Sequence, residues 1–530
     1  MNDVKSTLDS MIPETMEKKS VTKNSFARMF FVALAILIQV LLMFLMIGLL
    51  QQRYTWLASG FRLLAFLLVL GIFSQNKTAS VKMPWIVLIL FAPIAGSLIY
   101  LIVGLNTAPK RMRERYRLID EYLRTLMPAD EAAFQELEQT DLALANMSRY
   151  LREHCGCPLF NDSDVEFYST AEEAIAAQKE ALRGAKDFIF MEYHAIEDRE
   201  SFAEIKEILA QKAADGLDVR IFYDDVGSLA FINTDFIKRM EKLGIQCRVF
   251  NPAMPVVNLF LNNRDHRKIT VVDGKVGFTG GYNLANEYFN ITHPYGQWKD
   301  TGVKVTGNAV QTMTGMFLEM WNAIRDTDKD DQNFTRFFPE TGHVPSEPGC
   351  YIQPYGDSPL DDEQIGENVY LNIISSATRY VWFMTPYLII TDEMNSALVR
   401  AAERGVDVRI LTPGIPDKRT IYGVTRSYYQ RLVRSNVRIY EYTPGFCHAK
   451  ECISDDRVAT CGTINLDFRS LFHHFENGCL MMNFRAILEM KEDYLRTLEV
   501  SEEVTEKYRS GQSTLRRAWN HVLRLFSALL

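Results

Sequence analysis

Two histidines in this chain are followed by the same set of polar residues at the same spacing. His266 precedes Lys268, Asp273, Gly280 and Asn283, and His448 precedes Lys450, Asp455, Gly462 and Asn465. The offsets of 2, 7, 14 and 17 are identical in the two copies. An imidazole is a competent nucleophile, and a second one opposite it can protonate a leaving oxygen and then deprotonate the next attacker. Paired lysines supply point charge and paired amides supply hydrogen bonds to an oxyanion. Together these residues suit a phosphate held while one of its bonds breaks, through a phosphohistidine and two displacements, with no metal or cofactor required. Each imidazole also needs an acceptor to set its tautomer. Asp300 and Glu476, lying beyond the first and second histidine respectively, are candidates for that role, and the motif aspartates Asp273 and Asp455 compete with them.

Each copy reads as strand, turn, strand: RKITVVD, Gly-Lys and VGFTGG in the first, AKECISD, Asp-Arg and VATCGT in the second. Alternation puts each histidine and its lysine on one face of a strand. The flanking segments repeat as well. FIFMEY (188–193) and VRIFY (219–223) alternate with helical stretches, as do YVWFM (380–384) and VRIL (408–411), and GLDVRIF at 216 aligns with GVDVRIL at 405. Alternating strands and helices imply crossover units and a largely parallel sheet in each half. The fold class is therefore α/β, a duplicated domain whose halves meet about a pseudo-twofold axis, with residues 326–365 as the join. If the halves meet in this way, one pocket gathers both histidines, both lysines and, to hold the phosphate, Asn283 and Asn465.

The 530 residues carry a net charge of −8, which argues against a general nucleic-acid binder. Eight scattered cysteines read as reduced thiols. Cys447, Cys452 and Cys461 near His448 miss zinc spacings. His473 and His474 read as packing or surface residues, and His194, at a strand end after Tyr193, as a satisfied core histidine or, alternatively, a residue lining the pocket. Upstream, three apolar runs at about 30–50, 54–73 and 84–104 are long enough to cross a bilayer. Arg62 interrupts the second, so two to three crossings are expected. A basic cluster (Lys110, Arg111, Arg113, Arg115, Arg117) belongs on the cytoplasmic side and could hold anionic headgroups. The last residues, 515–530, form an amphipathic pattern suited to a membrane surface or to packing on the enzyme body.

The pattern resembles the phospholipase D superfamily, whose H-x-K-x4-D motif occurs at 266–273 and again at 448–455. It resembles bacterial cardiolipin synthases in particular, through RDHRKITVVDGKVGFTGGYNLANEY, FYDDVGS at 222–228, MTPYLI at 384–389 and GTINLDFRSLFHHFE at 462–476. The resemblance implies two tandem phospholipase D-like α/β domains, at 161–340 and 341–500. Before them lie a polar N-terminus (1–25), a transmembrane region (26–105) and a helical connector (106–160), and after them an amphipathic helix (501–530). It also implies that two phosphatidylglycerol molecules yield cardiolipin and glycerol in a bacterial plasma membrane, with catalytic domains facing the cytoplasm. The first motif histidine would then be the nucleophile, and His266, Lys268, Asp273, His448, Lys450 and Asp455 the catalytic set. A hydrolase that passes the intermediate to water shares this chemistry, and so does a transferase with another acceptor.

Overall fold

The computed structural model describes residues 55–510, apart from 76–77, 105–109, 128–129, 234, 253–262, 326–332 and 362, together with scattered positions in 30–49 and 523–524. The first half contributes β1 (Ser163–Tyr168), β2 (Phe188–Tyr193), β3 (Asp218–Asp224), β4 (Gln246–Phe250), β5 (Arg264–Asp265), β6 (Lys268–Val272), β7 (Val276–Gly280), β8 (Gln297–Lys299) and β9 (Gly302–Gly307). The second contributes β10 (Tyr351–Asp357), β11 (Tyr380–Met384), β12 (Leu388–Ile389), β13 (Asp407–Pro413), β14 (Arg438–Tyr442), β15 (Gly445–Cys447), β16 (Glu451–Ser454), β17 (Val458–Gly462), β18 (Leu466–Asp467), β19 (His474–Met482) and β20 (Ser501–Glu503). The sheets run β1-β9-β7-β6-β2-β3-β4 and β10-β19-β17-β16-β11-β13-β14-β20. One order maps onto the other strand for strand, with β20 as an added edge.

Neither sheet is largely parallel, contrary to the expectation from alternating strands and helices. Along these two orders the parallel pairs are those within β2-β3-β4 and β11-β13-β14; the motif strands pair antiparallel with their neighbours in the orders. The motif itself is the reason, because it folds as a hairpin. Asp273 and Gly274 take φ of 54° and 64°, and Asp455 and Asp456 take 57° and 62°, the left-handed conformations that turn a chain back on itself tightly. Asp456 bears that conformation without being glycine, held by Tyr380, Arg379 and Lys491.

The two sheets share one apolar core, into which Phe190, Ile269 and Val271 project from the first and Trp382, Ile453 and Ala459 from the second. The helix Val310–Ala323 is buried along its whole length within that core, packed on β2, β6, β7, β9 and β10. Each large side chain withdrawn from water in this way contributes about 1.5–3 kcal/mol, so the halves are docked firmly rather than tethered. The connector helices Glu131–Thr140 and Leu142–Tyr150 add Phe134, Leu137 and Leu144 to the second half's outer core.

Upstream, helix Thr55–Phe73 covers the second apolar run. The third, Pro84–Gly104, is divided: a helix Ala79–Phe91 stops at Ala92 (φ −132°, ψ 78°) and a second one, Pro93–Ile99, leads into Tyr100–Gly104. Pro93 cannot donate to the preceding turn, and this breaks the expected continuous helix. Ala65, Ile72, Trp85, Ile89 and Tyr100 pack these helices together, while Leu63, Phe66, Leu67, Leu70, Leu90 and Phe91 face outward. Among the described residues no helix is long and apolar enough to cross a membrane. Residues 1–25 lie outside the described residues, and the first run (30–50) is described only in part, as helix at Phe30, Phe31 and other scattered positions. Of the basic cluster, Arg115 donates to the carbonyl of Asn322 (2.7 Å), and Arg117 pairs with Glu114 and Glu121. Most of the C-terminal amphipathic segment also lies outside the described residues. Leu523 packs on the second half's core, and Arg524 sits 4.5 Å over the Tyr428 ring.

Candidate active site

Each motif histidine follows a short strand that pairs with the opposite half. β5 runs parallel to the start of β19, with Arg264 opposite His474 and Asp265 opposite Phe475, and the N–H of His266 donates to the carbonyl of Phe475 (2.9 Å). β8 and β15 repeat the arrangement with Lys299 opposite Cys447, and the N–H of His448 donates to the carbonyl of Lys299 (2.7 Å). In each case a carboxylate follows one residue beyond the contact, Glu476 after Phe475 and Asp300 after Lys299. The partnerships are therefore crossed. Nδ1 of His266 lies 2.8 Å from Glu476 Oε2, and Nδ1 of His448 lies 2.6 Å from Asp300 Oδ2. Sequence order had set Asp300 with the first histidine and Glu476 with the second; the structure exchanges them across the pseudo-twofold axis.

The motif aspartates do not compete for this role. Asp273 accepts the N–H groups of Lys186, Asp187 and Phe188 at 2.8–2.9 Å, and Asp455 accepts those of Thr378, Arg379 and Tyr380 at 2.7–2.8 Å. Each closes the hairpin turn onto the start of the neighbouring strand, at the end of the motif strand remote from the histidine. Both brace the strand that aims the histidine, and among the described residues neither is hydrogen-bonded to a motif histidine or lysine.

The lysines point as alternation requires. Lys268 Nζ donates to the carbonyl of His266 (2.8 Å), and Lys450 Nζ donates to the carbonyl of His448. Lys450 Nζ also lies 2.6 Å from His448 Nδ1. That nitrogen cannot donate to Asp300 and accept from lysine at once. With a carboxylate at 2.6 Å it carries the proton, which leaves Nε2 free as the basic atom. Burial, followed by the charge of Lys450, lowers the Lys268 ammonium to about 7, and burial lowers Lys450 to about 8. Burial and Lys450 bring His448 to about 4, and burial with Lys268 and the neighbouring histidines holds His266 well below its usual value. Asp300, despite its burial, stays below the usual carboxylate range because Lys450 and His448 face it.

The small residues after the hairpin allow these approaches. A Cβ on Gly281 would lie 2.0 Å from Asp300 Oδ1 and 2.9 Å from the carbonyl oxygen of His448. The equivalent Thr463 donates its hydroxyl to Glu476 Oε2 (2.5 Å). The Gly281/Thr463 difference between the copies thus follows from which carboxylate needs room and which receives an extra donor.

His266, His448, Asn283 and Asn465 line one cavity of about 570 Å³. Asn283 accepts from the N–H of Ala195 and gives one amide proton to Tyr288, whereas Asn465 Oδ1 is buried without a partner. The two ends of the cavity differ. Around His448 stand Tyr288, Trp298 and Phe446, with ring centroids 5.2, 5.2 and 5.8 Å away. Around His266 stand His194 (4.9 Å) and His474 (5.5 Å), and Arg264 and Arg469 line the same wall. His474, read from sequence as a packing or surface residue, borders the cavity, and so does His194, for which the sequence offers both a core and a pocket-lining reading. His194 directly follows β2 beside the motif strand, and His474 stands in register with Arg264, a relation that no single strand's periodicity reveals.

Residues 179–321 and 370–497 match the family described as cardiolipin synthase, phospholipase D-like domain, and residues 63–104 match a phospholipase D-nuclease N-terminal family. A cardiolipin synthase of Halalkalibacterium halodurans is 31% identical over 484 residues, 90% of this chain and 95% of the relative. An uncharacterised protein of Streptococcus mutans is 38% identical over 86% of this chain and 98% of its own length. Among solved structures, phosphatidylserine synthase of Haemophilus influenzae superposes with a TM-score of 0.55 at 14% identity, covering 73% of this chain and all of that one, which speaks for the fold. The duplicated mixed sheets are those of phospholipase D-like domains. The chain belongs to the cardiolipin synthase family within that group.

Proposed function

We propose that this protein is a membrane-bound cardiolipin synthase that moves a phosphatidyl group from one phosphatidylglycerol to another. The observation that carries the reading is the pair of crossed histidine–carboxylate contacts opening on one cavity, supported by relatives named cardiolipin synthase along nearly the whole chain. His266 Nε2 attacks phosphorus, with Glu476 balancing the positive charge that develops on the ring. The bond from phosphorus to the glycerol headgroup breaks, and His448 delivers the proton to the departing oxygen. The anionic phosphate, once seated beside His448, raises the basicity that burial had depressed. A second phosphatidylglycerol then presents its primary hydroxyl, His448 removes the proton, and the new P–O bond releases His266. Lys268, Lys450 and Asn465 hold the non-bridging oxygens, with Asn283 beside them, and Arg264 and Arg469 face anionic lipid at the cavity wall.

The outward apolar side chains of the helices in 55–104, together with the apolar run at 30–50, support a location at the bacterial plasma membrane, where anionic phospholipid substrates reside. The test is a product assay: full-length protein in phosphatidylglycerol vesicles, followed by lipid analysis and glycerol release. Cardiolipin with equimolar glycerol, absent from His266→Ala, is the expected result. Phosphatidic acid without cardiolipin would make water the acceptor and overturn the synthase reading.

A further inference from the structure

The transfer chemistry leaves one buried histidine beside the nucleophile unused. His474 is nine-tenths buried, and both of its ring nitrogens lack a hydrogen-bond partner. Its Nδ1 lies 3.5 Å from Glu476 Oε1, an oxygen that is likewise buried and unpartnered. His266 completes the group: one ligand atom from each of His266, His474 and Glu476 lies within 4.8 Å of the others. Two imidazoles and a carboxylate form a donor set that suits zinc, whose bonds of about 2.0–2.2 Å set tetrahedral ligand atoms about 3.4 Å apart. Side-chain rotations of about an ångström reach that spacing, and the cavity supplies the open fourth position.

We infer that these three side chains form a binding site for a borderline-soft divalent cation of the zinc type, and that the bound cation occupies the nucleophile and blocks turnover. The inhibitory part rests on the reading of His266 as nucleophile; the binding part does not. Ligation takes the imidazole lone pair and the Glu476 charge that the attack on phosphorus requires.

The experiment measures Zn²⁺ binding to the full-length, lipid-free protein in detergent, by competition with a chromophoric chelator, and the visible absorption of the Co²⁺ form. Wild type is expected to bind one Zn²⁺ per chain and to show the absorption of tetrahedral Co²⁺. His474→Ala removes no hydrogen bond and should weaken binding more than about 100-fold, beyond what outer partners of metal sites are worth. The adjacent His473→Ala should leave binding unchanged. Zn²⁺ should inhibit phosphatidylglycerol turnover in proportion to occupancy, and excess chelator should restore it. Wild type that binds no Zn²⁺, or binding that survives His474→Ala, overturns the site. Binding at this site in a protein that makes no cardiolipin would leave the site standing and sink the proposed function instead.

Discussion

Replacing Glu476 by glutamine keeps the side chain's shape and removes one charge, which isolates what the crossed contact contributes. Glu476 Oε2 accepts both from His266 Nδ1 at 2.8 Å and from the Thr463 hydroxyl. The amide oxygen of glutamine can take that place, so the tautomer survives and the loss is electrostatic. As His266 attacks, its ring gains a unit of positive charge about 4 Å from the carboxylate. At an effective dielectric of about 20 that attraction is about 4 kcal/mol, close to 10³-fold in rate. Should the amide turn its NH₂ toward Nδ1 instead, the wrong tautomer would cost about 10⁴-fold. Glu476→Gln should therefore lower kcat for cardiolipin formation by about 10²–10⁴ in a protein that melts as wild type does. Crossing makes a sharper prediction. A phosphatidyl p-nitrophenol needs no proton for its leaving group, so it should rescue Asp300→Asn, which disables the acid His448, and should not rescue Glu476→Gln. Rescue of Glu476→Gln alone, or a Glu476→Gln enzyme within threefold of wild type, would refute the reasoning.

Other substitutions separate bracing from chemistry. Asp273→Ala strips the acceptor from three backbone N–H groups worth about 1–3 kcal/mol each when left unsatisfied, so thermal denaturation should show a loss of at least about 3 kcal/mol. Its folded fraction at low temperature should keep kcat within about tenfold, whereas His266→Ala abolishes it. Gly281→Ala should abolish turnover, because its methyl would occupy the place of the Asp300 carboxylate and unseat it from His448; product formation is again the readout. For pH, Lys268 is charged below about 7 and neutral above, so kcat/KM for the anionic substrate should fall as pH rises through that value in a steady-state profile.

Much of this site could be read in the sequence because it repeats. Two motifs at equal offsets mark the histidines, the lysines and the hairpins, and alternation alone turns Lys268 and Lys450 toward the histidine side. The crossing could not be read. Which carboxylate meets which imidazole depends on how the halves dock, and distance along the chain points to the wrong pairing. The motif aspartates mislead for a related reason: acidic side chains seven residues from a nucleophile look chemical, and only the turn geometry reveals them as acceptors for three or more donors. The sheet direction was misjudged because helix–strand alternation governs β2-β3-β4 while a hairpin governs β6-β7. The run at 84–104 reads as one span by hydropathy, which does not register the break that Pro93 imposes. His474 carried no periodic signal at all, since its place is set by register with a strand some two hundred residues earlier.

The exchange of partners between halves also bears on how the enzyme comes into being. A ribosome releases His266 long before it releases Glu476, so the first half of a nascent chain holds an imidazole without its carboxylate. His448, made later, finds Asp300 already waiting. Competence thus arrives only when the second sheet has folded against the first and β19 has closed on β5. In an unfinished or half-folded chain His266 lacks its carboxylate, so the paired arrangement is assembled by completion of the fold itself.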